Sequence, residues 1–304
     1  MGQIKNSIVL EKALRADFMK SYDNGENPAD VMSMIMETNS TSNKEKYGWL
    51  GQVPNLSEWK DSRKLNGLVD YNYEIVNKSY EATLQVDRDD IEDDQLGAIK
   101  VRIADLAIKA RIHPRKLFFE LLVAGETELC YDGSAFFATD HKYTADSASQ
   151  SNLHTGTKAG TLPTAAELSV DFSAARAKMK KLVDDQGQPF NEGEVKLHIV
   201  ASPDLENVLD IVFGADLINN STNTLKGKAT YMTSARLAGA EFYIVETSGN
   251  VKPFIKQNRQ APVFNALEAG SEHGFMHKTY KYGIDTRIGM GYGLWQKAVK
   301  VVYA

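Results

Sequence analysis

The sequence predicts an α+β protein built around one long helix. Three observations carry that class. Strand patterns gather towards the two ends of the chain and helical patterns fill its middle, without the regular alternation that makes a doubly wound parallel sheet. Residues 87–125 hold a helical period far beyond the mean of about 11–12 residues: Ile99, Ile103, Leu106 and Ala110 recur at steps of three and four, and Leu117, Phe118, Leu121 and Leu122 resume the apolar face beyond Pro114. Just before this spine, residues 68–86 alternate apolar and polar as a half-buried ribbon does.

In chain order, residues 1–46 form an opening arm. Ile8, Leu10, Leu14 and Phe18 place an amphipathic helix over about 8–22, which Asp23, Asn24 and Gly25 end. A second short helix is expected from Pro28 through 29–39, carrying the pliable Met32, Met34, Ile35 and Met36. Such small apolar faces cannot bury themselves, so the arm needs another surface, in this chain or in a neighbour. Residues 47–59 are aromatic-rich, with Tyr47, Trp49 and Trp59 interrupted by Gly51 and Pro54. Then Tyr71, Tyr73 and Ile75 form one row and Tyr80, Ala82, Leu84 and Val86 a second, with Asn77, Lys78 and Ser79 as a turn, predicting a long β-hairpin or a pair of ribbons. An isolated hairpin is marginal in water, so it is expected to lie on something else.

The spine opens on an acidic cluster, Asp87, Asp89, Asp90, Glu92, Asp93 and Asp94, where a helix N-terminus favours negative charge. Pro114 is expected to interrupt the ladder and Gly125 to stop it; a continuous helix over 87–125 would span roughly 50 Å. Residues 126–162 are loop-rich. A helix follows over 164–182, with Phe172, Ala175, Met179 and Leu182 inward; residues 185–193 turn. Buried strands are expected at 195–201 and 240–245, with a helix opened by Pro203 between them and a loop at 215–227. Residues 277–287 alternate again, and a strand over 294–302 closes the chain. No repeat of solenoid period is present.

The chain has 304 residues and a net charge of −5, so it carries no global nucleic-acid footprint. Its single cysteine, Cys130, excludes an internal disulfide and fits a reducing compartment. The first residues lack a signal-peptide core, and no apolar run approaches the roughly 20 residues of a membrane span. A soluble chain made in the cytosol, without membrane contact, is the expectation.

Each candidate for chemistry meets a blander reading. The acidic cluster offers carboxylates to a divalent cation, yet lacks the order and the glycine of a calcium loop. Cys130 and His141, with Asp132 and Asp140 nearby, are a nucleophile and base in type, but no oxyanion motif accompanies them. His273 and His277 have ligand spacing, but no Glu follows the first, and Gly274 argues against the helix that the motif needs. His198 falls in a buried strand, His113 at the helix break and His154 in a loop. Gly289, Gly291 and Gly293 resemble a phosphate loop without its following helix, so a turn or a close backbone approach is the better account. Arg102, Lys109, Arg111, Arg115 and Lys116 make the spine basic, either as a solvated face or as one turned towards acids or nucleic acid. No catalytic, cofactor-binding or metal-binding residue is therefore assigned.

The stretches YGWLGQVPNLSEWKDSRKLNG (47–67), YEIVNKSYEATLQVDRDDIEDDQLG (73–97), HPRKLFFELLVAG (113–125), CYDGSAFFATDH (130–141) and KYGIDTRIGMGYGLWQKAV (281–299) resemble the major head subunits of Mu-like phages and prophages, the gpT family. The resemblance covers about residues 45–304. It implies the Hong Kong 97-type capsid fold: an N-terminal arm (1–46), an extended β-hairpin loop (47–86), a peripheral domain with the spine helix (87–125 and 262–294) and an axial domain (126–261 and 295–304). It implies no enzymatic activity and no cofactor. It implies instead self-assembly into pentamers and hexamers of an icosahedral virion shell, formed in the bacterial cytoplasm with a scaffold protein, a maturation protease and a portal, around weakly contacted double-stranded DNA. The best-known fold member crosslinks a loop Lys to an Asn; here Lys60, Lys64 and Lys78 have no marked partner, so crosslinking is not expected. No long scaffolding segment precedes the arm, so a scaffold is expected to come from another protein or to have been removed already. Two alternatives stay open: a metal-dependent hydrolase using Asp89, Asp90, Asp93 and His141, and a phage tail or decoration protein.

Overall fold

The structure is a computed structural model that describes residues 2–25, 29–50, 72–92, 96–144, 147–185, 187–193, 195–218, 220–267 and 271–303. Along the chain run α1 (Gly2–Asn24), α2 (Ala29–Met32), β1 (Ile35–Asn39), β2 (Lys44–Lys46), β3 (Glu74–Val76), β4 (Lys78–Asp87), α3 (Arg88–Glu92) and the spine α4 (Leu96–Ala124). Then come β5 (Leu153–Gly156), α5 (Ala165–Lys181), β6 (Leu197–Ala201), α6 (Glu206–Gly214), β7 (Leu217–Ile218), β8 (Ser221–Thr222), β9 (Ala229–Thr233) and β10 (Phe242–Glu246). The chain closes with β11 (Phe254–Leu267), α7 (Glu272–His277), β12 (Thr279–Tyr292) and β13 (Ala298–Tyr303).

Two sheets dominate. The first has the order β1-β11-β12-β4, antiparallel except for the β1–β11 pair. The second has the order β5-β13-β10-β6-β9, with parallel pairs at both edges. In both, strands from the last third of the chain sit between strands made earlier. Helices α5 and α6 cover the second sheet, where Phe172, Met179, Leu209 and Val212 meet Leu197, Ile199, Phe242 and Val299.

Helix α1 forms because Leu10, Leu14 and Phe18 repeat every four residues, and Leu14 and Phe18 are fully buried. They meet Ile99, Ile103 and Ala107 of the spine and Phe264, Tyr282 and Ile284 of the first sheet. The arm thus finds its surface within its own chain. Arg111 of the spine caps α1, donating Nη1 hydrogen bonds to the carbonyls of Tyr22 and Asp23 (3.1 Å to the latter), which a helix end otherwise leaves open.

Spine and first sheet correct several expectations. Pro114 does not break α4, which runs through it for 29 residues, about 43 Å. Its ends are held by different cores: Ile99 and Ile103 beneath α1, and Phe118, Phe119 and Leu122 in a cluster between the sheets with Phe136, Phe254, Tyr292 and Trp295. Packing on both sides of the proline outweighs the hydrogen bond it cannot make. Asp89 and Asp90 lie in the first turn of the separate helix α3, not of the spine; Asp93 and Asp94 lie outside the described residues.

The second arm helix stops at Met32, and Ile35–Asn39 is a strand, paired in register with Phe254–Asn258. Burial of Met34 and Ile35 beside Phe254 overrides local helix preference. Of the two readings of this stretch, the pair of ribbons holds among the described residues and the hairpin does not: β3 pairs with β2 and β4 pairs with β12. Asn77, expected in a turn, is a buried joint. Its Nδ2 donates to Ser40 Oγ (2.7 Å) and to the Ser42 carbonyl (2.9 Å), and its Oδ1 accepts from Gln257 Nε2 (3.0 Å). The alternation that suggested a ribbon is real in β4, whose alternate residues are exposed. The closing strand begins only at Ala298, after a single 3-10 turn over Trp295–Lys297.

Candidate functional site

Among the described residues, the box 130–141 is where the candidate side chains converge. Just beyond the spine, an isolated bridge between Leu129 and Ala135 folds the chain back on itself, and a second between His141 and Gln150 closes the next loop. His141 is wholly buried and stacks on Trp295, with ring centroids 4.0 Å apart and planes 5° from parallel. Its Nδ1 lies 2.7 Å from Asp132 Oδ2 and its Nε2 3.2 Å from Asn152 Oδ1. Asp132 Oδ1 also accepts from the Cys130 thiol (3.0 Å) and from the Ser134 amide (3.1 Å).

Asn152 is fixed independently. Its Oδ1 accepts from the Ala138 amide (2.9 Å) and its Nδ2 donates to the Phe136 carbonyl (2.7 Å). Its oxygen therefore faces His141 as an acceptor, and the ring must donate to it. The polar side-chain atoms of Cys130, Asp132, His141 and Asn152 are engaged, as buried polar groups require, whereas the indole nitrogen of Trp295 has no partner among the described residues. Burial, and then the charge and hydrogen bond of Asp132, push the Cys130 thiol well above its ordinary value. It stays protonated and is no nucleophile. The cluster is a polar clip holding the loop after the spine to the segment before β13.

Cys130, Asp132 and His141 are the only three His, Cys, Asp or Glu residues among the described ones whose donor atoms lie within 4.8 Å of one another. Asp89, Asp90 and His141 do not assemble, which removes the basis of the hydrolase alternative. Asp140 is exposed. His277 ends a short helix where alternation was expected, and its side chain is exposed; the helix also spans position 273. His154 Nε2 lies 3.6 Å from the buried Asp171, and His198 Nδ1 lies 2.7 Å from Thr230 Oγ1. His113 packs edge-on to Tyr80 at 4.4 Å. Gly289 and Gly291 lie inside β12, where a close backbone approach requires them: a Cβ on Gly289 would sit 2.9 Å from the Val76 carbonyl oxygen. Lys60 and Lys64 lie outside the described residues, and Lys78 opens β4.

Sequence reasoning missed two buried lysines. Lys297 pairs with Glu246, and Lys300, almost wholly buried, pairs with Glu126 (2.8 Å) and Glu241 (2.6 Å). Lys297 and Lys300 inside the otherwise apolar pattern of 294–303 were the available signal.

The spine bridges the two sheets, with the arm docked on its first half. The chain has 26% identity to a chain of the procapsid of bacteriophage JBD30, with a TM-score of 0.58, covering 96% of this chain and 74% of that one. The fold is that of a Hong Kong 97-type phage capsid protein, mixed α and β, and the molecule is a structural subunit, not an enzyme.

More narrowly, the chain belongs to the family of the Mu-like prophage major head subunit gpT, matched over residues 8–164 and 231–303. It is 27% identical over 293 residues to the major capsid protein of Escherichia phage Mu. It is 28% identical over 292 residues to the Mu-like prophage FluMu major head subunit of Haemophilus influenzae. Each match covers 95% of this chain and 72% of the relative.

Proposed function

We propose that many copies of this chain assemble through pentamers and hexamers into a closed icosahedral head that encloses double-stranded DNA. The family membership over most of the chain carries this reading. The subunit is a component of a virion shell. Residues 1–46 then serve as the arm, 47–86 as the extended loop, 87–125 with 262–294 as the peripheral domain, and 126–261 with 295–304 as the axial domain. Assembly takes place in the bacterial cytoplasm with a scaffold protein, a maturation protease and a portal. Closed symmetry limits growth.

One local feature supports the loop role. The segments on either side of residues 51–71 are tied together: β2 pairs with β3, and the Tyr47 amide donates to the Tyr73 carbonyl at 2.8 Å. With that base closed, a contact made by 51–71 with a neighbour need not loosen the subunit's own sheets. Because β3 and β4 belong to the subunit's own sheets, the test is confined to residues 51–71. Replacing them with a short Gly-Ser linker should leave thermal unfolding of the unassembled chain unchanged and abolish closed shells in negative-stain microscopy. Normal shells from that variant would refute the loop's role. Failure of the full-length chain, co-expressed with its scaffold, to form shells of uniform diameter would refute the head reading itself.

A further inference from the structure

We propose that the outward side of the α1–α4 helix layer is the surface through which the subunit meets the phosphates of duplex DNA. This rests on the head function above and names the part of the subunit that faces the contents. The chain is acidic overall at −5, yet α1 and α4 together hold ten Lys and Arg against five Asp and Glu. That layer carries +5, and all other residues together carry −10.

The segregation is spatial as well as sequential. Leu14 and Phe18 of α1, and Ile99, Ile103 and Ala107 of α4, are buried with residues of the first sheet. The polar sides of both helices consequently turn away from it. On the spine, Arg102, Lys109 and Lys116 are exposed and recur every seven residues, about 10.5 Å apart along the axis. Lys12 and Lys20 are exposed on α1.

These cations are uncommitted. Lys12, Lys20, Arg102 and Lys109 make no ion pair with any described residue, and Lys116 has only a solvent-exposed contact of 3.6 Å with Glu120. The other basic cluster, at the end of α5, is differently placed. Lys178 donates to the Leu153 carbonyl, and Asp184 and Asp185 follow Lys180 and Lys181 in sequence. An array of unpaired cations gains from a polyanion by releasing its condensed counterions, with no demand on base sequence.

Val101, Ile108 and Ile112 are also exposed on the spine. An acidic protein partner would use these aliphatic side chains as well as the cations; phosphates would not. That difference sets the test. The probe is a 30-base-pair duplex of arbitrary sequence, titrated with the unassembled full-length chain by fluorescence anisotropy at several NaCl concentrations. Wild-type binding should be weak and should fall with salt. R102Q/K109Q/K116Q should shallow the log–log salt slope by about 0.9 for each phosphate left without its cation, up to about 2.7. K180Q/K181Q/K196Q removes the same charge from the other sheet's side and should leave the slope unchanged, as should I108N/I112N. An equal effect from both charge triples would reduce the binding to net charge and overturn the proposal. So would absence of wild-type binding, or weakened binding in I108N/I112N, which would assign the face to an acidic protein. Negative-stain microscopy of wild type separates the two readings: shells without DNA binding refute only this inference.

Discussion

Gly291 lies directly beneath Ile75: a Cβ built on the glycine would sit 2.5 Å from Ile75 Cδ1. The neighbouring Tyr292 amide donates to Tyr73 Oη at 2.8 Å, so β3 is pressed onto β12 at this point. The glycine run that resembled a phosphate loop is a seat for another strand. Gly291→Ala should force Ile75 aside and cost about 1–3 kcal/mol, the range for overpacking a core. Denaturant unfolding of the unassembled chain measures it, and a neutral result would show that β3 is free to lift.

The docked arm makes a sharper demand. Phe18 is fully buried against Phe264 (5.4 Å between ring centroids) within one subunit. Phe18→Ala should therefore destabilise the unassembled chain by about 3–5 kcal/mol. An arm that docks only on a neighbour would leave that unfolding midpoint unchanged and disturb only the shell.

Breaking the polar clip should also destabilise the subunit. Asp132→Ala leaves His141 buried without the acceptor 2.7 Å from Nδ1, and a buried hydrogen-bonding group left unsatisfied costs about 1–3 kcal/mol. The Cys130 thiol, buried and held protonated, should resist an aromatic disulfide reagent in the folded chain and react fully in denaturant. Fast native labelling would show that the clip opens.

Acid should weaken the subunit in a defined order. Burial holds His113 and His198 below the ordinary histidine value. For such a group the unfolded chain takes the proton first. Its contribution is complete above the unfolded pKa of about 6.5 and is lost as pH falls through the depressed folded value. Thermal melting of the unassembled chain at pH 7.5 and 5.5 should show a drop that His198→Asn reduces. Exposed Glu45 and Glu167, held low by hydrogen bonds from Ser40 and Thr164, act only at lower pH. An equal drop in the variant would remove His198 from the account.

Much of the fold was legible because it is local. The four-residue period of Leu10, Leu14 and Phe18 gives α1, and Thr164 with Glu167 forms a capping box at the predicted start of α5. Strand pairing was not legible. Tyr73, Ile75, Tyr80 and Ala82 alternate as a hairpin would, but the choice of partners belongs to residues 180 or more positions away, such as Gln257 with Asn77 and Tyr292 with Tyr73. Met34 and Ile35 have no helical or strand preference strong enough to resist Phe254. The clip was half visible: Cys130, Asp132 and His141 stood out as residue types, while Asn152 and Trp295, which settle the histidine's surroundings, come from unrelated stretches.

The order of strands across the two sheets has a consequence for manufacture. Edge strand β4 leaves the ribosome early, but its partner β12 follows only after the roughly 190 residues between Asp87 and Thr279, about 10–40 s of translation at ordinary rates. Strand β13, which joins β5 to β10, is made after β12. Neither sheet can close before these two strands exist, and a product that stops short of β12 lacks an inner strand of each. The two sheets therefore complete together and late, as one event rather than as two successive ones.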